Sequence, residues 1–348
     1  MNDKNFTAYL TESKKIEIRE SKMPKAADDE CVLKMETVTI CGSDASFFLD
    51  PSYGGTIADV KLPIVLGHEC SGVVVETGAS VKHLSVGDRV TVEPGVGCGV
   101  CNYCLSGRYN LCREMNFMAA YPFEKAALSK YIAHSAKALF KLPDNVSFVE
   151  GALVEPLSVG LHAVERANPS FGDSAIVVGC GCIGLMTIIA LRANGVKDIT
   201  AIDLSDARLA FAKKKGATHT INSSKVNLAS YVADNDLFAD LVFETAGNKD
   251  VMASTVDIVK PGGKIITVGN IHGDTPFRFL KTNDNEVDII SVFRYVNTYP
   301  AAIKSLAERD FVISDFVTHN FNFEETQKAF EQAVKPDENT IKIAINLH

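Results

Sequence analysis

The chain has 348 residues, a net charge of −8, 46 % hydrophobic and 22 % charged residues. That length supports two domains with separate cores, and the composition is ordinary for a soluble globular protein. An acidic surface repels phosphate backbones, so nucleic-acid binding is set aside. The opening Met1-Asn2-Asp3-Lys4-Asn5 has no apolar stretch suited to a signal peptide, and the longest apolar-rich run, Gly181 to Leu191, is too short to span a bilayer. Nine cysteines, an odd number, read as metal ligands rather than a disulfide framework. The expectation is a cytoplasmic protein with no membrane partner.

Residues 1–90 carry mainly β signals. Glu30 to Val38 alternates as a strand does, and Ser71 to Glu76 and Asp88 to Val92 are short β-branched runs bounded by glycine. Asp50 to Lys61 contains Pro51, Ser52, Gly54 and Gly55 and reads as a loop. Two chemical stretches lie here, Ile40-Cys41-Gly42-Ser43-Asp44 and Val65-Leu66-Gly67-His68-Glu69, and a third follows at Leu153-Val154-Glu155-Pro156-Leu157. One thiolate, one imidazole and one or two carboxylates make a donor set that suits Zn²⁺. Catalytic zinc keeps three protein ligands and one open position, which Cys41, His68 and Glu69 or Glu155 can provide. Taken singly, the His-Glu pair would be a solvated pair and Cys41 a small apolar filler. Their weight comes from the motifs that follow.

Cys98, Cys101, Cys104 and Cys112 form the pattern C-x₂-C-x₂-C-x₇-C. Short C-x₂-C steps turn sulfurs toward a common centre, and four thiolates close a tetrahedral shell, as in a structural zinc site. An iron–sulfur cluster has the same ligand type but suits so compact a lobe less well. Leu139 to Asn145 reads as a last strand and turn, and Phe148 to Ala163 as a helix that Pro156 should break.

From Ser174 strands and helices alternate. Ala175-Ile176-Val177-Val178 is a buried strand, Gly179-Cys180-Gly181-Cys182-Ile183-Gly184 follows, Ile183 to Asn194 is an apolar helix, and the next strand ends on Asp203, 19 positions past Gly184. This is a G-x-G-x-x-G fingerprint between strand and helix, with the acid that meets an adenosine ribose and repels a 2′-phosphate. Further strands are expected at His219–Asn222, Asp240–Glu244, Lys264–Val268 and Val287–Val292, giving a doubly wound, mostly parallel sheet of about six strands. Two helices, Pro300–Glu308 and Glu324–Val334, and a last strand, Ile341–Ile345, return to the first domain.

The order of these motifs resembles that of the zinc-dependent medium-chain dehydrogenases over the whole chain. Within that family the likeness is to sorbitol and related polyol dehydrogenases, on Gly107-Arg108-Tyr109-Asn110-Leu111-Cys112, Glu155-Pro156-Leu157-Ser158-Val159-Gly160 and Val292-Phe293-Arg294-Tyr295-Val296-Asn297-Thr298. The resemblance implies an α/β protein: a GroES-like β-rich catalytic domain (residues 1–153 and 297–348) and a Rossmann domain with a doubly wound parallel sheet (residues 154–296). It implies one catalytic zinc on Cys41, His68 and Glu69, with Glu155 holding the metal's water or approaching the metal, and one structural zinc on the four cysteines. Ser43 would take the first proton, and Arg294 and Tyr295 would meet substrate hydroxyls. NAD would lie along Gly179, Gly181, Ile183, Gly184, Asp203, Arg208, Val268, Gly269, Phe293 and Arg294. The expected reaction is oxidation of a secondary hydroxyl of a sorbitol- or xylitol-like polyol to a ketose, by a homo-oligomer, tetramer or dimer. A simple alcohol or threonine is the rival substrate, and a non-catalytic NAD-binding sensor or structural protein is the rival class.

Three positions depart from the family pattern. Ser46 stands where many relatives carry a relay histidine. Lys125-Ala126-Ala127-Leu128-Ser129 replaces a Gly-Gly stretch. Cys180 and Cys182 sit inside the phosphate loop and read as small filler.

Overall fold

The structure, a computed structural model, describes residues 4–57, 60–335 and 337–348. Met1, Asn2 and Asp3 of the opening stretch, and Ala58 and Asp59 of the loop after Asp50, fall outside the described residues. The chain divides into two compact units, Met1–Glu155 with Tyr299–His348, and Pro156–Thr298. Among the described residues no helix is long and apolar enough to cross a membrane.

The first unit is built on a seven-stranded sheet. Its order is Leu139–Lys141, Arg89–Val92, Glu69–Thr77, Glu30–Thr39, Lys342–Asn346 and Val317–Asn322, with Tyr131–Ser135 also paired to Glu30–Thr39. A hairpin of Asn5–Glu12 and Lys15–Ser21 carries the short strand Ile64–Val65 on its other side. Leu33, Met35, Val38, Cys70, Val74, Val90 and Val92 fill the core, and burying each large aliphatic side chain stabilises by about 1.5–3 kcal/mol. Two pairings matter for chemistry. Thr39 lies opposite Glu69, and Thr39 also lies opposite Ala344 of the last strand.

His134, on the strand Tyr131–Ser135, is fully buried, with Nε2 2.9 Å from the Glu93 carbonyl oxygen. Its Nδ1 is buried without a hydrogen-bond partner. Nε2 is therefore the protonated nitrogen of a neutral ring, and a second proton would bury an unpaired charge. Burial pushes the imidazole down to about 4, and Lys125 adds to the depression. Between the unfolded value and about 4 the unfolded chain binds more protons than the folded one, so stability falls as pH falls through that window. The expected loss between pH 7.5 and 5 is about 2 kcal/mol. His134→Gln should remove it, which urea unfolding at both pH values would read. An unchanged difference between the two pH values in the variant would contradict this.

The second unit holds six parallel strands in the order His219–Asn222, Asp198–Asp203, Ser174–Val178, Ala239–Glu244, Val259–Thr267 and Asp288–Ser291. The order reverses direction next to Ser174–Val178, the switch point where such sheets open a crevice at their strand ends. The helices Cys182–Ala193 and Asp206–Lys214 connect strands on one side of that point. The GroES-like and Rossmann architectures expected from the sequence are both present.

One local expectation fails. The helix Phe148–Ala167 runs straight through Pro156. Proline forfeits one backbone hydrogen bond at a cost of about 3 kcal/mol, but residues 150–158 are all buried, so packing on both sides outweighs it. Pro261, Gly262 and Gly263 lie inside the strand Val259–Thr267, where its pairing with Ala239–Glu244 shifts register. Ser46 lies inside the helix Gly42–Leu49, whose N-cap is Cys41, and its Oγ donates to the Gly42 carbonyl at 3.0 Å.

Candidate metal and dinucleotide sites

Cys41, His68 and Glu69 come together. One ligand atom from each lies within 4.8 Å of the other two, and His68 and Glu69 are buried. Cys41 ends the chain segment leaving Glu30–Thr39 and starts the helix Gly42–Leu49, while His68 and Glu69 stand at the start of the antiparallel neighbour. Glu155 lies outside this trio, buried in the helix Phe148–Ala167. It acts electrostatically on buried neighbours: burial pushes Glu93 up to about 7, the Tyr109 hydroxyl opposes this, and Glu155 adds to it. Ser43 is half-buried in the first turn of the helix that Cys41 opens.

Asp44 organises the trio. Its Oδ2 accepts the Cys41 backbone N–H at 3.0 Å and its Oδ1 accepts the Gly67 N–H at 3.0 Å. The same Oδ1 lies 3.6 Å from His68 Nδ1, an electrostatic contact longer than a hydrogen bond. One buried carboxylate thus fixes the two segments that deliver the ligands and orients the imidazole. Burial opposes a charge on His68, but Asp44 and the Cys41 sulfur overcome it and hold the imidazole well above its ordinary value. The thiolate, imidazole and carboxylate donors of this group fit Zn²⁺.

The segment 125–129 has a structural task. Ala127 and Leu128 donate their backbone N–H groups to Gly67 O and Leu66 O at 2.8 and 3.1 Å. Gly67 needs its positive φ of 91°, and a Cβ there would meet Val38 and Leu128 at 3.0 and 3.1 Å. The strap therefore grips the backbone just before His68.

Cys98, Cys101, Cys104 and Cys112 form the second metal-capable group, also within 4.8 Å of one another. All nine cysteines are free thiols. The Cys98 N–H lies 3.4 Å from Cys112 Sγ, and the Val100 and Cys101 backbone N–H groups bring the Cys98 thiol down to about 6. A Cβ on Gly97 would stand 2.9 Å from Cys104 Sγ, so glycine is what lets the backbone pass the sulfurs.

In the second unit Gly179 turns with φ +97°, and Gly181 caps the helix Cys182–Ala193. A Cβ on Gly181 would enter open space, the opening a pyrophosphate needs at a helix N-terminus. Asp203 ends its strand, with Oδ2 accepting from Cys180 N–H at 2.6 Å and Oδ1 from Ser205 N–H at 2.9 Å. Each oxygen keeps a lone pair for a ribose hydroxyl. Arg208 starts from the same corner, its backbone N–H capped by Ser205 Oγ at 3.3 Å and its Nε buried. Ile183 and Gly184 lie in the first helical turn. Val268 and Gly269 both donate to Glu244 O, at 2.9 and 3.0 Å. Cys180 is fully buried, and burial, with Asp203, pushes its thiol up, so it is inert filler. Cys182 is half-buried at the start of the helix. Phe293 is exposed and stacks under the Arg294 guanidinium at 4.8 Å, Arg294 has φ +54°, and Tyr295 is buried. Arg294 and Tyr295 belong to this second unit, and the Cys41 trio to the first.

Residues 27–144 match the alcohol dehydrogenase GroES-like domain family, and residues 182–308 match the zinc-binding dehydrogenase family. The chain is 41 % identical over 349 residues to a zinc-type alcohol dehydrogenase-like protein of Escherichia coli K12, covering 99 % of both chains. It is 38 % identical to sorbitol dehydrogenase of Bacillus subtilis, covering 97 % of this chain and 96 % of the relative. A solved Escherichia coli oxidoreductase of unknown specificity superposes with a TM-score of 0.94 at 40 % identity, over 99 % of this chain and 100 % of that one. The chain belongs to the zinc-type medium-chain alcohol dehydrogenase family, close to the polyol dehydrogenases.

Proposed function

We propose that the chain oxidises a secondary hydroxyl of a polyol to a ketose with NAD⁺, with one Zn²⁺ on Cys41, His68 and Glu69 and a second on Cys98, Cys101, Cys104 and Cys112. The observation that carries this reading is the grouping of Cys41 with the buried His68 and Glu69, in a chain with a sorbitol dehydrogenase among its relatives. Bound there, Zn²⁺ supplies a Lewis acid that favours loss of the hydroxyl proton, and NAD⁺ supplies the hydride acceptor. The residues do the remainder. Asp44 keeps the His68 ring in place, and Ser43 takes the first proton toward solvent. Glu155 orders water beside the metal, and Arg294 and Tyr295 bind the other hydroxyls. Hydroxyl-bonding groups left unpaired by a simple alcohol would disfavour it. We take the enzyme to be a cytoplasmic homo-oligomer.

Initial rates of NADH formation with sorbitol, xylitol, galactitol, threonine and ethanol, each with and without a chelator, test this. A polyol should lead, and chelation should stop the reaction. Threonine or ethanol in the lead would overturn the substrate class, and no NADH from any substrate would favour a non-catalytic role.

Asp203 supports NAD over NADP. Its carboxylate would face the 2′-phosphate of NADP, and the like charges should cost about 1–3 kcal/mol in kcat/KM. Steady-state rates with both cofactors check this, and Asp203→Ala should narrow the gap. Equal efficiency in the unmodified chain would contradict it.

A further inference from the structure

A fully buried carboxylate that the proposed reaction does not use stands at the strand ends of the second unit. Glu244 closes the strand Ala239–Glu244, in register with Val178 on one side and Thr267 on the other. Two turns follow these strand ends, and both bond to it. Its carbonyl accepts the Val268 and Gly269 N–H groups at 2.9 and 3.0 Å, and its Oε1 accepts the Asn248 N–H at 3.4 Å. Oε2 is buried and makes no hydrogen bond of ordinary geometry. It stands where the two turns touch. A Cβ on Gly269 would lie 2.7 Å from Oε2 and 2.3 Å from Gly247 N, and a Cβ on Gly247, at φ +66°, would lie 2.9 Å from Asn270 O. Backbone thus packs on backbone, with the carboxylate beneath. Burial pushes the carboxyl up, and what opposes this is the N–H groups of Asn248, Gly247, Ala246 and Gly269 rather than a cation. A carboxylate buried without a cation costs stability, so folding alone does not account for it.

We propose that Glu244 is a positioning residue for the cofactor: its carboxylate and its carbonyl together clasp the turns 245–248 and 268–270, and so set Val268 and Gly269 for the dinucleotide. The inference rests on the reading of the second unit as the NAD site, with Val268 and Gly269 among its contacts. The strands Ala239–Glu244 and Val259–Thr267 lie side by side next to Ser174–Val178, where such a sheet opens its crevice. The first turn also meets the glycine fingerprint. Thr245 Oγ1 donates to Gly179 O at 2.7 Å, and a Cβ on Gly179 would lie 2.9 Å from Ala246 N. Glu244 therefore couples the turn beside the phosphate loop to the turn that carries Val268. An anion does here what a neutral group of the same shape does not, because it draws several N–H groups inward at once. An amide in its place relieves the buried charge but sets a donor among donors. The fold should then lose nothing while the two turns loosen.

Amide hydrogen exchange, fluorescence titration with NADH and melting curves on the full chain test this. In the unmodified chain, NADH should slow exchange at residues 268–270. In Glu244→Gln without NADH, the amides of 246–248, 268 and 269 should exchange about tenfold faster, with those of the strand Ala239–Glu244 unchanged. NADH should bind that variant about tenfold more weakly. Its melting temperature without NADH should equal or exceed that of the unmodified chain. Glu244→Asp keeps the charge and draws it back by one methylene, so exchange should quicken and affinity fall there too, and it serves if Glu244→Gln folds poorly. Unchanged affinity and exchange in both variants would overturn the proposal. So would a melting temperature that falls in step with affinity, since Glu244 would then be a structural staple alone. NADH that binds the unmodified chain yet leaves residues 268–270 unprotected would instead overturn the placement of the cofactor against Val268 and Gly269.

Discussion

Cys41→Ser should lower kcat by about 10³-fold or more with little change in melting temperature, and Cys104→Ser should do the reverse. Cys41 is the N-cap of the helix Gly42–Leu49, and serine is a better N-cap than cysteine, so the fold tolerates the change. Serine does not ionise near neutrality, so the soft anionic donor is lost. The four-cysteine lobe is the opposite case. Between residues 97 and 111 only Asn110 is buried, and Val100 and Leu105 are exposed. Such a segment has no apolar core of its own, and its order must come from the metal it closes around. Structural zinc contributes about 10–16 kcal/mol in small metal-dependent folds, so losing one of four thiolates should unfold the lobe and lower the melting temperature by several degrees. Each variant should hold one zinc instead of two. Elemental analysis, melting curves and kcat on all three proteins read this. A Cys104→Ser protein that kept two zincs and its melting temperature would refute the structural role.

What could be read from the sequence was local. The C-x₂-C ladder and the glycine fingerprint put their chemistry within 15 and 6 consecutive residues, so spacing alone constrains geometry. The Rossmann strands are β-branched runs between helices, and they appear within one residue of their expected ends, except that the strand expected from Lys264 already begins at Val259. The grouping of Cys41 with His68 and Glu69 was not a matter of spacing. It depends on the pairing of Thr39 with Glu69 across two antiparallel strands; the donor types and the motifs around them point to it, with Glu69 and Glu155 left as alternatives, and the family resemblance then implies Glu69. Asp44, Thr39 and Lys342 were missed for the same reason. Asp44 has the appearance of a helix cap, which it is, and its second task toward His68 needs the fold. Lys342, whose Nζ lies 2.8 Å from Glu69 Oε1, begins a strand that pairs with Glu30–Thr39 from the other end of the chain, and a lysine at a strand start ordinarily points to water. The early hairpin had a signal that went unused: Lys15–Ser21 is mostly exposed and charged, so its strand character rests on Ile16 and Ile18 alone. At Pro156 a strong local rule lost to burial on both sides.

The dinucleotide site gives the other large effect, through two glycines that look alike in the motif and differ in the fold. A Cβ on Gly184 would stand 1.8 Å from Gly179 O and 2.8 Å from Thr245 Oγ1. The first is backbone, so it cannot swing aside. Thr245 Oγ1 is itself committed, donating toward Val178 O and Gly179 O at 2.9 and 2.7 Å. Gly184→Ala must therefore push the helix Cys182–Ala193 off the strand Ser174–Val178. Overpacking of this kind costs about 1–3 kcal/mol, and it tilts the helix N-terminus and its N–H groups away from the phosphate position. Gly181 has open space where its Cβ would be and no positive φ, so Gly181→Ala should leave the fold intact and obstruct only a ligand. The expected result is a lower melting temperature and about 10²-fold weaker NADH binding for Gly184→Ala, against an unchanged melting temperature and weakened NADH binding for Gly181→Ala. Fluorescence titration with NADH gives the affinities. The upward shift in melting temperature that saturating NADH causes should shrink in both variants, because it scales with the logarithm of ligand concentration over Kd. If Gly181→Ala bound NADH as tightly as the unmodified chain, the open space at Gly181 would not be where the pyrophosphate lies, and the assignment of this turn to the cofactor would have to be withdrawn.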